Sequence, residues 1–304
     1  MLFLSVFSFP FFISFSSVLR MRHGFLLIDK PEGPTSHDIV AQVRRLLPEK
    51  KIGHLGTLDP AASGLLVLAV GSKALKVVEL FTSLTKEYIA DVRFGAVSTT
   101  YDREGTLEEV VAKPGVGVPT DSELQNMIAD RFTGDIDQVP PGYSAVKVGG
   151  ERAYRKMRQG RLVDLPPRKV EISQCEVLSY TYPDLTLRVA CSSGTYIRSL
   201  AHDLGDLLRI GGYLSGLKRT KVGGWRNENA VIPERAAWTN VIPLKDVLTS
   251  FPKIELSDAE ADDIAKGRVI QHGVRNDTIA WHNGLPIAIL LSVSATESRA
   301  RKVL

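Results

Sequence analysis

Apolar residues fall along this chain in short runs whose spacing changes from segment to segment, and each spacing predicts an element. Residues 25–29 form an apolar run closed by Asp29, the pattern of a short buried strand. Beyond them Ile39, Val40, Val43, Leu46 and Leu47 recur at helical spacing, which predicts a helix capped by Ser36 and running through Leu47. A second apolar run spans residues 65–70, and residues 88–94 alternate Tyr, Ala, Val and Phe with Ile, Asp and Arg as an antiparallel strand does. Asp121 or Ser122 can cap a helix ending near Phe132-Thr133-Gly134, and residues 171–182 and 186–191 are β-rich runs split by Pro183-Asp184. This irregular alternation predicts an α+β domain with a largely antiparallel mixed sheet and its site loops along one face. Thr249-Ser250-Phe251-Pro252 resembles a linker, followed by a small unit with a helix over 259–266 and strands over 279–281 and 287–291.

Composition narrows the class. With 304 residues, 44% hydrophobic and 24% charged, the chain can build one large globular domain and a small one. A net charge of +4 and a pI of about 9.0 suit a polyanionic partner without demanding one. Cys175 and Cys191 lie in apolar β-like sequence with no metal-ligand spacing, and read as buried free thiols in a reducing, cytoplasmic compartment. Residues 1–19 are rich in Phe and Ser, with no charge before Arg20 and no basic segment ahead of the apolar run. They read as an upstream misannotation with Met21 as the natural start, rather than as a targeting or anchor segment. No other run is long enough to span a membrane.

The candidate chemistry is concentrated in Gly53-His54-Leu55-Gly56-Thr57-Leu58-Asp59-Pro60-Ala61-Ala62-Ser63-Gly64. Glycines there let backbone approach a ligand or take positive φ, and Pro60 stiffens the turn after Asp59. An Asp-Pro alone is an ordinary turn. Here His54 stands just upstream and an apolar run anchors the far side, so the carboxylate is presented as a site residue.

Residues 53–64 resemble the catalytic motif of the TruB-type tRNA pseudouridine synthases. Five further blocks follow the family's order: Gly24-Phe25-Leu26-Leu27-Ile28-Asp29-Lys30-Pro31 with Gly33 and Thr35-Ser36-His37-Asp38; Lys86-Glu87-Tyr88; Gln138-Val139-Pro140-Pro141 with Tyr143-Ser144-Ala145-Val146-Lys147; Gly194-Thr195-Tyr196-Ile197-Arg198; and Leu217-Lys218-Arg219-Thr220. Leu55, where the family usually has a small hydroxyl residue, and Gly71-Ser72-Lys73-Ala74-Leu75-Lys76 depart from the pattern without touching a catalytic group.

The resemblance implies the pseudouridine synthase fold over residues 24–248 and, more weakly, an abbreviated PUA-like RNA-binding domain over 249–304, with 1–23 as an extension. It implies isomerisation of the T-loop uridine at tRNA position 55, without cofactor or metal. The base is flipped out of its stack, its N1–C1′ bond broken and the ring rejoined through C5. Asp59 becomes the nucleophile, a ready anion at neutral pH; C1′ attack, C6 attack and C2′ proton abstraction all stay open. Arg198 becomes its charge partner, Tyr88 the stacking ring, Tyr196 and Leu217 the pocket wall, and His54 the group entering the vacated space. Lys30 is placed at the substrate, with a structural or phosphate-contact role beside it. Arg152, Arg155 and Lys156, on one helix face by their spacing, become phosphate contacts in a flap over the RNA. The partner implied is the tRNA T stem-loop, met by a monomer without guide RNA. Two alternatives remain, a guide-RNA-dependent dyskerin-type synthase and a non-catalytic RNA-binding folding chaperone.

Overall fold

The computed structural model describes residues 23–111 and 117–304, so the phenylalanine-rich opening and the Met21 start lie outside the described residues. In chain order the elements up to the middle of the molecule are β1 (Gly24–Lys30), α1 (Ser36–Leu46), β2 (Ile52–His54), β3 (Ala62–Val70), α2 (Ser72–Val77), β4 (Lys86–Phe94) and the ribbon β5 (Ala96–Ser98) with β6 (Leu107–Glu109). Then come α3 (Asp121–Arg131), β7 (Gly134–Gln138), the ribbon β8 (Lys147–Val148) with β9 (Glu151–Arg152), α4 (Ala153–Arg158), β10 (Arg168–Thr181), β11 (Asp184–Cys191), α5 (Ile197–Leu208), β12 (Gly212–Val222), β13 (Trp225–Arg226), β14 (Ile242–Pro243) and α6 (Leu244–Val247).

Ten strands form one sheet in the order β14-β1-β3-β12-β4-β11-β10-β7, with β2 added to β3 and β13 to β12. Neighbours are antiparallel except β3 and β12, which run parallel with Ala62, Ser63 and Gly64 against Leu217, Lys218 and Arg219. The expected largely antiparallel, mixed α+β sheet is what the chain forms. β1 and β3 are continuous apolar runs because both their faces are covered. Leu26, Ile28, Leu66 and Leu68 meet Ile39, Val40 and Val43 of α1, while Phe25, Leu27, Leu65 and Val67 face Ala74, Val77 and Phe81. In β4 only alternate residues are buried, and Ala90, Val92 and Phe94 pack with Leu124 and Ile128 of α3 and Leu200 and Leu204 of α5. Helix α5 can lie this close to the sheet because Gly205 meets Gly212: a Cβ at 205 would stand 2.1 Å from the Gly212 nitrogen.

Several local expectations need correction. Thr35, not Ser36, caps α1, in a capping box with Asp38. The Ser36 hydroxyl instead donates to the Leu58 carbonyl and accepts from the Leu58 N–H, both at 2.9 Å. Thr120, one residue before Asp121, caps α3 in the same way with Glu123. The β10 strand starts at Arg168, earlier than its hydrophobicity suggested, because β7 pairs with its first residues. Cys191 is buried and Cys175 half-buried, and both are free, with burial pushing their thiols up to about 11 and about 12.

After α6 follow β15 (Lys253–Glu255), α7 (Asp258–Ala265), β16 (Val269–Ile270), β17 (Ile279–His282), β18 (Leu285–Ser292) and β19 (Ser298–Val303), whose strands make a second sheet in the order β15-β17-β18-β19-β16. The segment that reads as a linker is tied down, since Phe251 packs edge-on against Phe81 with ring centroids 5.3 Å apart. Ile279, Trp281 and Ile289 belong to the same apolar cluster as Phe25 and Leu65. Lys302 Nζ donates to the Lys76 carbonyl and Lys76 Nζ to the Val303 carbonyl, so the chain end is anchored to α2.

Candidate functional site

Tyr88 and Leu217 each touch two of the large apolar clusters, at the seam where the halves of the big sheet meet. That seam is the β3–β12 parallel junction, and its geometry depends on Gly64. There φ is +96°, and a Cβ would stand 2.3 Å from the Arg219 carbonyl oxygen. Above the seam opens a cleft of about 770 Å³, lined by Asp59, Tyr88, Arg152, Tyr196, Arg198 and Leu217 from the expected set.

The loop bearing Asp59 is held from both sides. Buried Arg219 donates Nε to the Leu65 carbonyl at 2.7 Å and its terminal nitrogens to the carbonyls of Gly56 at 3.2 Å and Thr57 at 3.4 Å. Lys30, fully buried, donates to the carbonyls of Ala62 at 2.7 Å, Pro31 at 2.9 Å and Pro60 at 3.3 Å. Burial lowers the ammonium pKa, and the nearby Asp59 charge opposes that shift. Lys30 therefore does not line the cleft, contrary to its expected place at the substrate; it positions the loop.

Arg198 connects two carboxylates. Its Nε lies 3.1 Å from Asp59 Oδ2 and its Nη1 3.4 Å from Asp102 Oδ2. Nη1 also donates to the Thr100 carbonyl at 3.1 Å and Nη2 to the Tyr143 carbonyl at 3.0 Å. The Arg198 and Asp102 side chains are 9% and 8% exposed against 43% for Asp59, so the pair is closed on the protein side and open toward the cleft. Asp102 is held in turn by the Thr100 hydroxyl and the Glu104 N–H. The start of α5 is fixed by buried Gln138, whose amide accepts from the Tyr196 N–H at 2.8 Å and donates to the Tyr196 carbonyl at 2.9 Å.

Tyr88 has its phenol pKa raised by burial, with the Arg219 guanidinium pulling the other way, so it remains a neutral ring able to stack and to donate a proton. Tyr196 lies under the Arg168 guanidinium, 5.4 Å from its ring centroid. Lys86, also on the wall, has its pKa lowered by burial and by the Arg219 charge. Glu104 has its carboxyl raised by burial and by the charges of Asp102 and Asp59.

His54 does not line the cleft. His37 does, and the two rings meet edge-to-face with centroids 5.6 Å apart. Burial lowers the His54 pKa, helped by His37 and Arg219, and leaves its Nδ1 without a hydrogen-bond partner. The basic segment is also arranged differently from its spacing. Arg152 ends β9 ahead of α4, so it shares no helix face with Arg155 and Lys156, and neither of those reaches the cleft. Arg152, Tyr154 and Arg158 do, with the Arg158 guanidinium 5.6 Å from the Tyr154 ring centroid.

Asp102, Arg219, His37 and Arg158 were missed as site residues. Arg219 carried a signal, since it stands two residues beyond Leu217 and a strand sends both to one face. Arg158 stands four beyond Tyr154, the spacing of one helix face. Asp102 had none, lying in a polar turn like many others. Among the described residues no group of three His, Cys, Asp or Glu side chains is placed to hold a metal ion.

A sequence model of the TruB family pseudouridylate synthase (N terminal domain) matches residues 44–197. The chain is 43% identical over 278 residues to a tRNA pseudouridine synthase B of Leifsonia xyli subsp. xyli, covering 88% of each sequence. It is 42% identical over 259 residues to that of Mycobacterium leprae, covering 81% of this chain and 79% of the relative. Among solved structures it resembles a chain of a Cbf5-Nop10-Gar1 complex, with a TM-score of 0.69 and 24% identity over 94% of this chain and 85% of the other, a likeness of fold.

Proposed function

This chain belongs to the TruB family of pseudouridylate synthases, and from that premise we propose that it isomerises the T-loop uridine of tRNA at position 55, alone and without a guide RNA, with Asp59 as nucleophile. The observation that carries the reading is the Asp59–Arg198 pair at the mouth of the cleft. A carboxylate with one side open and the other against a buried guanidinium is an oriented anion, available to a substrate entering from solvent.

Several of the remaining groups have a task in the same reaction. The cleft is large enough for a nucleotide turned out of its stack. Tyr88 offers a flat face to the uracil and Leu217 an apolar floor. Asp59 bonds to the nucleotide as the N1–C1′ bond breaks, the ring turns in the cleft, and the carboxylate is expelled with its electron pair as the product forms. The new C5–C1′ bond then forms, C5 gives up its proton and N1 gains one, so the product is an isomer of the substrate. Tyr88, neutral and beside Arg219, is the group suited to relay that proton. Arg152 and Arg158 with Tyr154 form the cationic rim that meets the RNA backbone. The C-terminal five-stranded unit acts as a PUA-like RNA-binding extension, and the protein works as a cytoplasmic monomer. No helix among the described residues is long and apolar enough to cross a membrane.

The test is to incubate the purified protein with an unmodified tRNA transcript and no other RNA, then map pseudouridine. Modification confined to the T loop is expected. Modification that needs an added guide RNA, or tight binding with no isomerisation, would each overturn the proposal.

A further inference from the structure

One contact near the site involves no group that touches the cleft. The rings of Tyr101 and His202 lie parallel, 3.8 Å between centroids and 6° between planes, and neither lines the cavity. His202 stands four residues beyond Arg198 in α5, one turn along the same helix face. Tyr101 stands between Thr100 and Asp102, the two residues that engage Arg198 Nη1. The stack therefore joins the turn that grips the guanidinium to the helix that carries it.

That turn needs holding. Tyr101 has φ +64°, the left-handed region that L side chains with a Cβ seldom adopt and that persists only where surrounding contacts impose it. On one side the backbone does so: Leu214 N–H donates to the Tyr101 carbonyl at 3.0 Å and Arg103 N–H to the Leu214 carbonyl at 3.0 Å, tying the turn to β12. Toward α5 the ring stack adds a second contact beside the Arg198 bonds to Thr100 and Asp102. Burial lowers the His202 pKa, against the Asp206 charge, so the imidazole adds no second cation one turn from Arg198. Its Nδ1 is buried with no hydrogen-bond partner among the described residues, so that nitrogen adds no polar contact to the ring stack.

We infer that the Tyr101–His202 stack is a brace that sets the Arg198 guanidinium against Asp59 through the Thr100–Asp102 turn, making both residues positioning residues for the reaction. The inference rests on the functional reading above for its kinetic consequence, though not for its geometry. Misplacement of a reacting group by about 1 Å costs on the order of a hundredfold in rate, and groups that fix side-chain orientation act on the chemical step more than on binding.

The experiment compares wild type with His202→Ala, His202→Phe and Tyr101→Leu. Three quantities are read: the single-turnover rate at saturating tRNA, the tRNA Kd, and the NMR signal of the Arg198 Nε–H in nitrogen-15-labelled protein. His202→Ala and Tyr101→Leu are expected to slow the chemical step by about tenfold or more, leave Kd within about twofold and displace the Arg198 signal. His202→Phe, which keeps a flat ring and drops both nitrogens, is expected to stay within about threefold of wild type with the signal in place. An alanine variant at wild-type rate with an unmoved signal overturns the inference, as does a phenylalanine variant as slow as alanine. Should His202→Ala fail to fold, Tyr101→Leu on the turn side decides. A wild type that makes no pseudouridine would remove the functional reading, and the Arg198 signal across the variants would still decide the brace.

Discussion

Lys30 Nζ and the Ala62 carbonyl lie 2.7 Å apart, joining the end of β1 to the beginning of β3 across the loop that presents Asp59. The same ammonium reaches the Pro60 carbonyl, directly after Asp59. Lys30→Met keeps the length and removes every donor. It should lose about 1–3 kcal/mol of stability through unpaired buried carbonyls and slow the chemical step as the loop loosens. Urea unfolding together with single-turnover kinetics checks this, and an unchanged unfolding free energy would argue against the anchoring role.

Asp59→Asn preserves shape and removes the anion that Arg198 orients. Pseudouridine formation should fall below detection while the tRNA Kd stays within about threefold of wild type, because the lost interaction belongs to the chemistry. Any measurable turnover by this variant takes the nucleophile role from Asp59.

Gly64 is forced by the strand beside it. In Gly64→Ala the new methyl would meet the Arg219 carbonyl oxygen at 2.3 Å and its nitrogen at 2.8 Å, in a backbone at φ +96°. Strain of about 1–3 kcal/mol from the conformation alone, with the clash added, should part β3 from β12 and release the Arg219 bonds to Gly56 and Thr57. A lowered Tm with lost activity is expected, and a variant melting with wild type would mean that the junction tolerates a side chain.

The two pairs of cations in the basic segment should behave differently. Arg152 and Arg158 line the cleft, and their double alanine variant should flatten the log-log salt dependence of tRNA binding by about 1.5–2. Arg155→Ala with Lys156→Ala should change it less. Equal slopes for the two double variants would return the segment to a general cationic surface.

Asp203 has its carboxyl pushed up to about 6 by burial and by the neighbouring Asp206 charge. A carboxyl raised in the folded state binds a proton that the unfolded chain releases, so stability falls as pH rises from about 4 to about 6 and stays lower above that. Asp203→Asn should therefore be the more stable protein at pH 7.5, by on the order of 1–2 kcal/mol once solvent screening of this partly exposed group is allowed for, with the advantage gone near pH 4. Denaturant curves at both pH values test it, and a gain that persists at pH 4 would assign the effect to packing.

Much of this protein was legible in its sequence because the governing physics is local. Unbroken apolar runs at β1 and β3 and the alternation in β4 report burial directly, and the glycines and Pro60 around Asp59 report a presented loop. Caps were read to within a residue: Thr35 and Thr120 cap through local capping boxes with Asp38 and Glu123, and the Ser36 hydroxyl is taken by Leu58. The resemblance had paired Arg198 with Asp59, and the structure brings the two together; the other polar contacts around the site were left undetermined by the chain order. Arg198 reaches Asp59 and Asp102, and Arg219 holds the motif loop, because β3 and β12 pair in parallel and α5 packs against β12 at Gly212, while Lys30 is buried beneath carbonyls because β1 pairs antiparallel with β3. Helix α4, tied to the carbonyls of Ser144 and Val146, brings Arg158 to the cleft and leaves Arg155 and Lys156 outside it. Periodicity predicts which face of an element is buried. The identity of the group across from that face is a long-range contact, selected by the packing of the whole sheet.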